Sequence, residues 1–163
     1  MRTPEQVKWD FVQQWLDRAH KDLAAGEVLL KEAFEDYENV GFHAQQSAEK
    51  FIKAFLVSRQ IEFPKTHDIA LLRKLVARVD LELAEKLATA DALTPYGVEF
   101  RYPGDLPSVS RNEGEKALRL AEQTRDLLLG SLKSYLNAGR PVVEQRSNAI
   151  VWLAEDFLKS WNQ

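Results

Sequence analysis

Apolar residues recur at intervals of three, four or seven along every long segment of this 163-residue chain, and that period suits the α-helix rather than the strand. From residue 5 to about 34 the series is Val7, Phe11, Trp15, Ala19, Leu23 and Leu30, with Gly26 weakening the helix without ending it. A second helix is expected over 38–60, stopped at Phe63 because a residue before proline, here Pro64, avoids the helical region. A third is expected from Thr66, with the Thr66 hydroxyl as its cap, Asp68 in its first turn, and Ile69, Leu72, Leu75, Val76 and Val79 inward. Residues 81–94 bury Leu83, Leu87, Ala90 and Leu93 and end before Pro95. Residues 94–110 are rich in proline and glycine and read as a loop of turns. Asn112 is the expected cap of a long helix to about 137 that turns Ala117, Leu120, Ala121, Thr124, Leu127, Leu128 and Leu132 inward, with Gly139 and Pro141 ending it. A tail over 142–163 places Ile150, Leu153, Ala154, Phe157 and Trp161 on one face. With no strand-like alternation and no repeat, the expected fold is all-α: an antiparallel up-and-down bundle of about five helices over 1–139, and a C-terminal helical extension over 140–163.

The absence of cysteine excludes disulfides and thiolate metal sites, and three dispersed histidines argue against zinc, so neither cofactor nor metal is expected. No apolar run approaches the roughly 18 residues of a membrane span, and the first ten residues lack a signal-peptide layout. A cytoplasmic protein without membrane association is expected. A net charge of −3 argues against a broadly basic nucleic-acid coat. The charge is uneven, however. Lys50, Lys53, Arg59, Lys65, Arg73, Lys74 and Arg78 face only Glu49, Glu62 and Asp68 between residues 41 and 78, which suits either solvated helix faces or a phosphate-bearing ligand.

Within the second helix, HAQQSAEKFIKAFL (43–56) puts Ala44, Ala48, Phe51, Ile52 and Phe55 on one side and Gln46, Lys50 and Lys53 on the other. Gln45 and Glu49 fall at the border, where covered polar groups need hydrogen-bond partners. They are expected to be structural polar residues, with Arg101 as a partner for Glu49 and Lys53 as an i,i+4 pair with it.

Several separated stretches resemble the HEPN family, the higher eukaryote and prokaryote nucleotide-binding domain. Trp15, Ala19, Asp22 and Leu23 are similar to its first helix, and FHAQQSAEKFIKAFL to its second. PKTHDIALL (64–72) is similar to the start of its third, and FRYPG (100–104) to the Arg-Tyr-Pro element before its last long helix. The four stand in order over about 9–137. The resemblance implies a five-helix bundle that forms a homodimer and is often encoded beside a minimal nucleotidyltransferase partner. Many members are ribonuclease toxins that carry Arg and His on one helix with four to six residues between them, so that Arg stands five to seven positions before His. Here the corresponding positions before His20 are Gln13, Gln14 and Trp15; before His43, Asp36, Tyr37 and Glu38; before His67, Gln60, Ile61 and Glu62. None is arginine, so the resemblance does not extend to that route of RNA cleavage.

His67, an imidazole able to act as acid, base or phosphate donor, stands beside Lys65 at the expected start of the third helix, where free N–H groups attract anions. Arg101 offers a planar fork for phosphate and Tyr102 a ring for stacking on a base. Lys50, Lys65, His67, Arg101 and Tyr102 are therefore the expected phosphate-binding residues, and no catalytic set is assigned. His20 and His43 are expected to be ordinary surface residues. The expected function is a non-catalytic module that binds nucleotide, RNA phosphate or a nucleotidyltransferase partner; the alternative is a ribonuclease toxin of a toxin–antitoxin pair with an unusual Arg/His site.

Overall fold

A computed structural model describes residues 1–32, 35–99 and 108–142, and among these residues every regular element is helical. The order is α1 (Pro4–Lys31), α2 (Tyr37–Ser58), α3 (Ile69–Val76), α4 (Leu81–Lys86), a 3₁₀ segment (Leu87–Leu93), α5 (Thr94–Val98) and α6 (Arg111–Ala138). The tail from 143 onward, with the apolar face expected there, lies outside the described residues.

Three long helices make the frame. Ser47 Oγ donates to the Ala19 carbonyl (2.9 Å), and Gly26 lies against Val40 and His43, so residue numbers on α1 fall as those on α2 rise: the two run antiparallel. Trp9 stacks against Tyr135 (5.2 Å) and Gly26 lies under Leu118, so α6 is also antiparallel to α1 and runs in the same direction as α2. The short elements α3 to α5 carry the chain back between α2 and α6. The expected core is present: Phe51, Ile52, Phe55, Leu72, Leu87, Leu93, Leu128 and Leu132 are fully or almost fully buried. Val79, expected inward, is 52% exposed because α3 ends at Val76 and the chain turns over residues 77–79.

Several expected boundaries move for identifiable reasons. Asp68, not Thr66, caps α3, its carboxylate accepting from Leu71 N (3.1 Å), while the Thr66 hydroxyl accepts from Asp68 N. Side chains of α2 hold the carbonyls of Thr66 and His67, which keeps both residues outside the helix. At α6 the cap is Ser110 and not Asn112: Ser110 and Glu113 form a reciprocal capping box, the Ser-x-x-Glu pattern. The expected helix over 81–94 divides into α4 and the 3₁₀ segment. Pro95 does not end it but sits in the first turn of α5, where its missing N–H costs nothing. Gly26 is buried within an unbroken α1, and a Cβ there would come within 2.8 Å of Leu118.

After α6, Gly139 takes φ 72° and turns the chain across α1. Arg140 donates from Nε and Nη2 to Asp10 (2.9 and 3.0 Å), and Gln6 Nε2 donates to the Pro141 carbonyl (2.8 Å).

Candidate functional site

The border residues of α2 are covered more completely than their helical position suggests. Gln45 is 0%, Glu49 2% and Lys53 7% exposed, because the segment after α2 folds back over them. Gln60, with φ 56°, makes the turn, and Pro64 keeps the returning chain extended.

Glu49 is the hub of this covered region. Its Oε1 accepts from Lys53 Nζ (2.7 Å); its Oε2 accepts from Gln45 Nε2 (2.8 Å) and lies 3.0 Å from His67 Nδ1. Lys53 also donates to the Thr66 carbonyl (3.2 Å) and stands 5.5 Å from the ring centres of both Trp15 and Phe63. Gln45 Nε2 also reaches the His67 carbonyl (3.1 Å), and its Oε1 accepts from Gln46 Nε2 (2.8 Å). A buried carboxylate is tolerable only when paired and hydrogen-bonded, and Glu49 has both conditions met. Lys53, placed on the solvent side by helical geometry alone, is therefore an interior cation: the reach of its methylenes brings the ammonium back under the return segment.

His67 is where this network meets solvent. Its side chain is 44% exposed, and with Nδ1 donating to Glu49 the ring presents Nε2 as an acceptor that has no partner among the described residues. A histidine oriented in this way can accept a proton, or as imidazolium donate to an anionic oxygen. Lys65, two residues earlier, is exposed and has no ion pair among the described residues. The head of α3 offers less than its position suggested, because the Asp68 carboxylate already occupies a free N–H there.

Lys50 turns away from this site. It pairs with Asp22 of α1, whose other oxygen lies 3.0 Å from His43 Nδ1. Burial pushes the Asp22 carboxyl up, but the hydrogen bonds and charges of His43 and Lys50 outweigh it and hold the group below its ordinary value of 3.8. His43 is thus part of an ion-paired clip between α1 and α2 and not an ordinary surface residue. His20 is exposed, its ring packed edge-on against Phe51 (4.9 Å), and burial together with the nearby Arg125 lowers its pKa. The Asp22–His43–Lys50 clip was missed in the sequence because its members are 21 and 28 positions apart and become neighbours only through the register of two packed helices. Arg101 and Tyr102 lie outside the described residues.

Two close approaches fix the far side of the network. A Cβ at Gly97 would lie 2.5 Å from Gln45 Cδ, and one at Gly41 would overlap the Tyr96 ring, so α5 can rest on α2 only because both positions are glycine. No group of three or more metal-ligating side chains occurs among the described residues, and none of their helices is long and apolar enough to cross a membrane.

A family model described as HEPN domain matches residues 12–132. A protein of Methanocaldococcus jannaschii named "Putative toxin MJ1304" is 25% identical over 137 residues, covering 76% of this chain and 89% of that protein. The comparison with solved structures gives no match.

Proposed function

The chain belongs to the HEPN family, and from that premise we propose that it is a binding module of a toxin–antitoxin pair, contacting a phosphate group of nucleotide or RNA through His67 and Lys65. The observation that carries this reading is the division of the cations near α2. Lys50 and Lys53 are consumed by Asp22 and Glu49, whereas His67 is held at Nδ1 and, among the described residues, neither its Nε2 nor the neighbouring Lys65 has a partner. Arg101 and Tyr102, next to Pro103 in the family-like FRYPG stretch, complete the proposed ligand set. The module acts in the cytoplasm as a homodimer with a minimal nucleotidyltransferase partner; residues 1–139 form the working bundle and 140–163 an extension.

Titration with ATP and with a short single-stranded RNA, followed by calorimetry over a salt series, tests the reading. His67→Ala should weaken binding, and Lys65→Ala should reduce the salt slope by about one, as loss of one phosphate contact requires. Arg101→Ala should weaken binding without lowering the melting temperature. Wild-type affinity in all three variants would overturn the proposal.

A second reading, ribonuclease toxin, draws on the carboxylate–histidine pair, which is the arrangement of a general base, and on the relative's name. It requires that purified protein cleave RNA and that His67→Ala and Glu49→Gln both abolish cleavage.

A further inference from the structure

An apolar groove of the described surface lies away from His67, between α1 and α6. The groove, of about 470 Å³, is lined by Trp9, Leu16, Leu129 and Leu136, with Gln13, Asp17 and His20 also in its wall. On α1, Gln6, Asp10, Gln13, Asp17 and His20 follow one another at spacings of three and four, so they form one stripe that continues from the Arg140 and Pro141 contacts into the groove. The chain leaving α6 is therefore delivered to the groove mouth and fastened there. Tyr135, stacked on Trp9 at that mouth, has its hydroxyl enclosed without a hydrogen-bond partner among the described residues. A buried hydroxyl in that condition calls for a donor or acceptor from elsewhere.

We propose that residues 143–163 of the same chain occupy this groove, setting the apolar face of Ile150, Leu153, Phe157 and Trp161 against Trp9, Leu16, Leu129 and Leu136. Length supports the match. Ile150 and Trp161 are as far apart in sequence as Trp9 and His20, and eleven residues of helix span about 16 Å in either case. The linker 143–149 extends to about 24 Å, enough to bring the face to either end of the groove. A tethered segment sees its site at an effective concentration in the millimolar range, which favours it over a second copy of the chain at ordinary protein concentrations. The extension then completes the α1–α6 side of the bundle and leaves the His67 side free, so the proposal stands or falls independently of phosphate binding.

The absence of cysteine makes the test direct. A nitroxide is placed on Asn162→Cys in isotope-labelled protein, which is then diluted into an excess of unlabelled wild-type chain. The Trp9 indole signal and the methyl signals of Leu16, Leu129 and Leu136 should be lost, while those of Leu71 on α3 remain. In the converse sample, spin-labelled unlabelled chain mixed with isotope-labelled wild type, the same signals should persist. Retention of the groove signals in the first sample would overturn the proposal. Their loss in the second sample alone would also overturn it and assign the groove to a second copy.

Discussion

Replacing Glu49 by Gln keeps the shape of the side chain while removing the only anion that Lys53 contacts among the described residues, and the consequence can be sized from the surroundings. The two side chains are 3% and 9% exposed, so the screening that makes surface pairs nearly worthless does not apply. Leaving one partner of a buried pair uncompensated costs about 3–5 kcal/mol. Lys53 retains the Thr66 carbonyl and the faces of Trp15 and Phe63, whose attraction for a cation amounts to about 0.5–2 kcal/mol, so the lower end, about 3 kcal/mol, is expected. Lys53→Met should cost less, about 1–2 kcal/mol, because Glu49 keeps Gln45 and His67 as partners. In the double variant the stranded charge disappears. Its cost should fall short of the sum of the two single costs by about 2 kcal/mol. Urea unfolding at neutral pH, with an unchanged denaturant slope across the four proteins, reads all of these values. Additivity within about 0.5 kcal/mol would refute the reasoning, since the pair would then not be an energetic unit.

The α2–α5 contact predicts that Gly41→Ala, whose Cβ would enter the Tyr96 ring, destabilises by about 1–3 kcal/mol, whereas Gly130→Ala, where a Cβ meets nothing within 4 Å, does not; thermal unfolding distinguishes them. Ser110→Ala removes the capping-box oxygen and should cost about 1 kcal/mol by the same measurement. Asp22 has a folded-state pKa below its ordinary 3.8, so its stabilisation is complete at neutral pH and is lost as pH falls through the depressed folded value. Asp22→Asn should therefore flatten the acid limb of the stability–pH curve below about pH 4 while lowering stability at pH 7; parallel acid limbs in the two proteins would count against the Asp22–His43–Lys50 clip.

The apolar period alone places Phe51, Ile52 and Phe55 in the core and marks the long helices, because burial of a helix face repeats every three or four residues whatever it packs against. The same reasoning puts Lys53 in solvent. Periodicity assigns a direction to the Cβ, while a lysine has four methylenes with which to bring its ammonium elsewhere, and the return segment that covers it has no period to read. Glu49 with Lys53 at i,i+4 is visible in the sequence as a pair; its burial is not. Asp22 with His43 and Lys50 is hidden for a different reason, since it depends on the register between two helices. The shared direction of α2 and α6 follows from α3 to α5, short elements whose path is set by the glycines at 41 and 97 and by the Arg73–Asp91 pair (2.7 Å), contacts that no local pattern encodes. Ser110 and Glu113 were legible as a capping box, but Asn112 competes as a cap in the same turn.

The segment that returns along α2 is gripped by its main chain: Lys53 takes the carbonyl of Thr66 and Gln45 the carbonyl of His67. A carbonyl is the same at every residue. Side chains at 65 and 66 can therefore be exchanged without loosening the grip, while Gln45 and Lys53 cannot, so the exposed loop can change its surface chemistry and leave its scaffold untouched. Such an arrangement separates the residues that set the character of the surface beside His67 from those that set the shape beneath it.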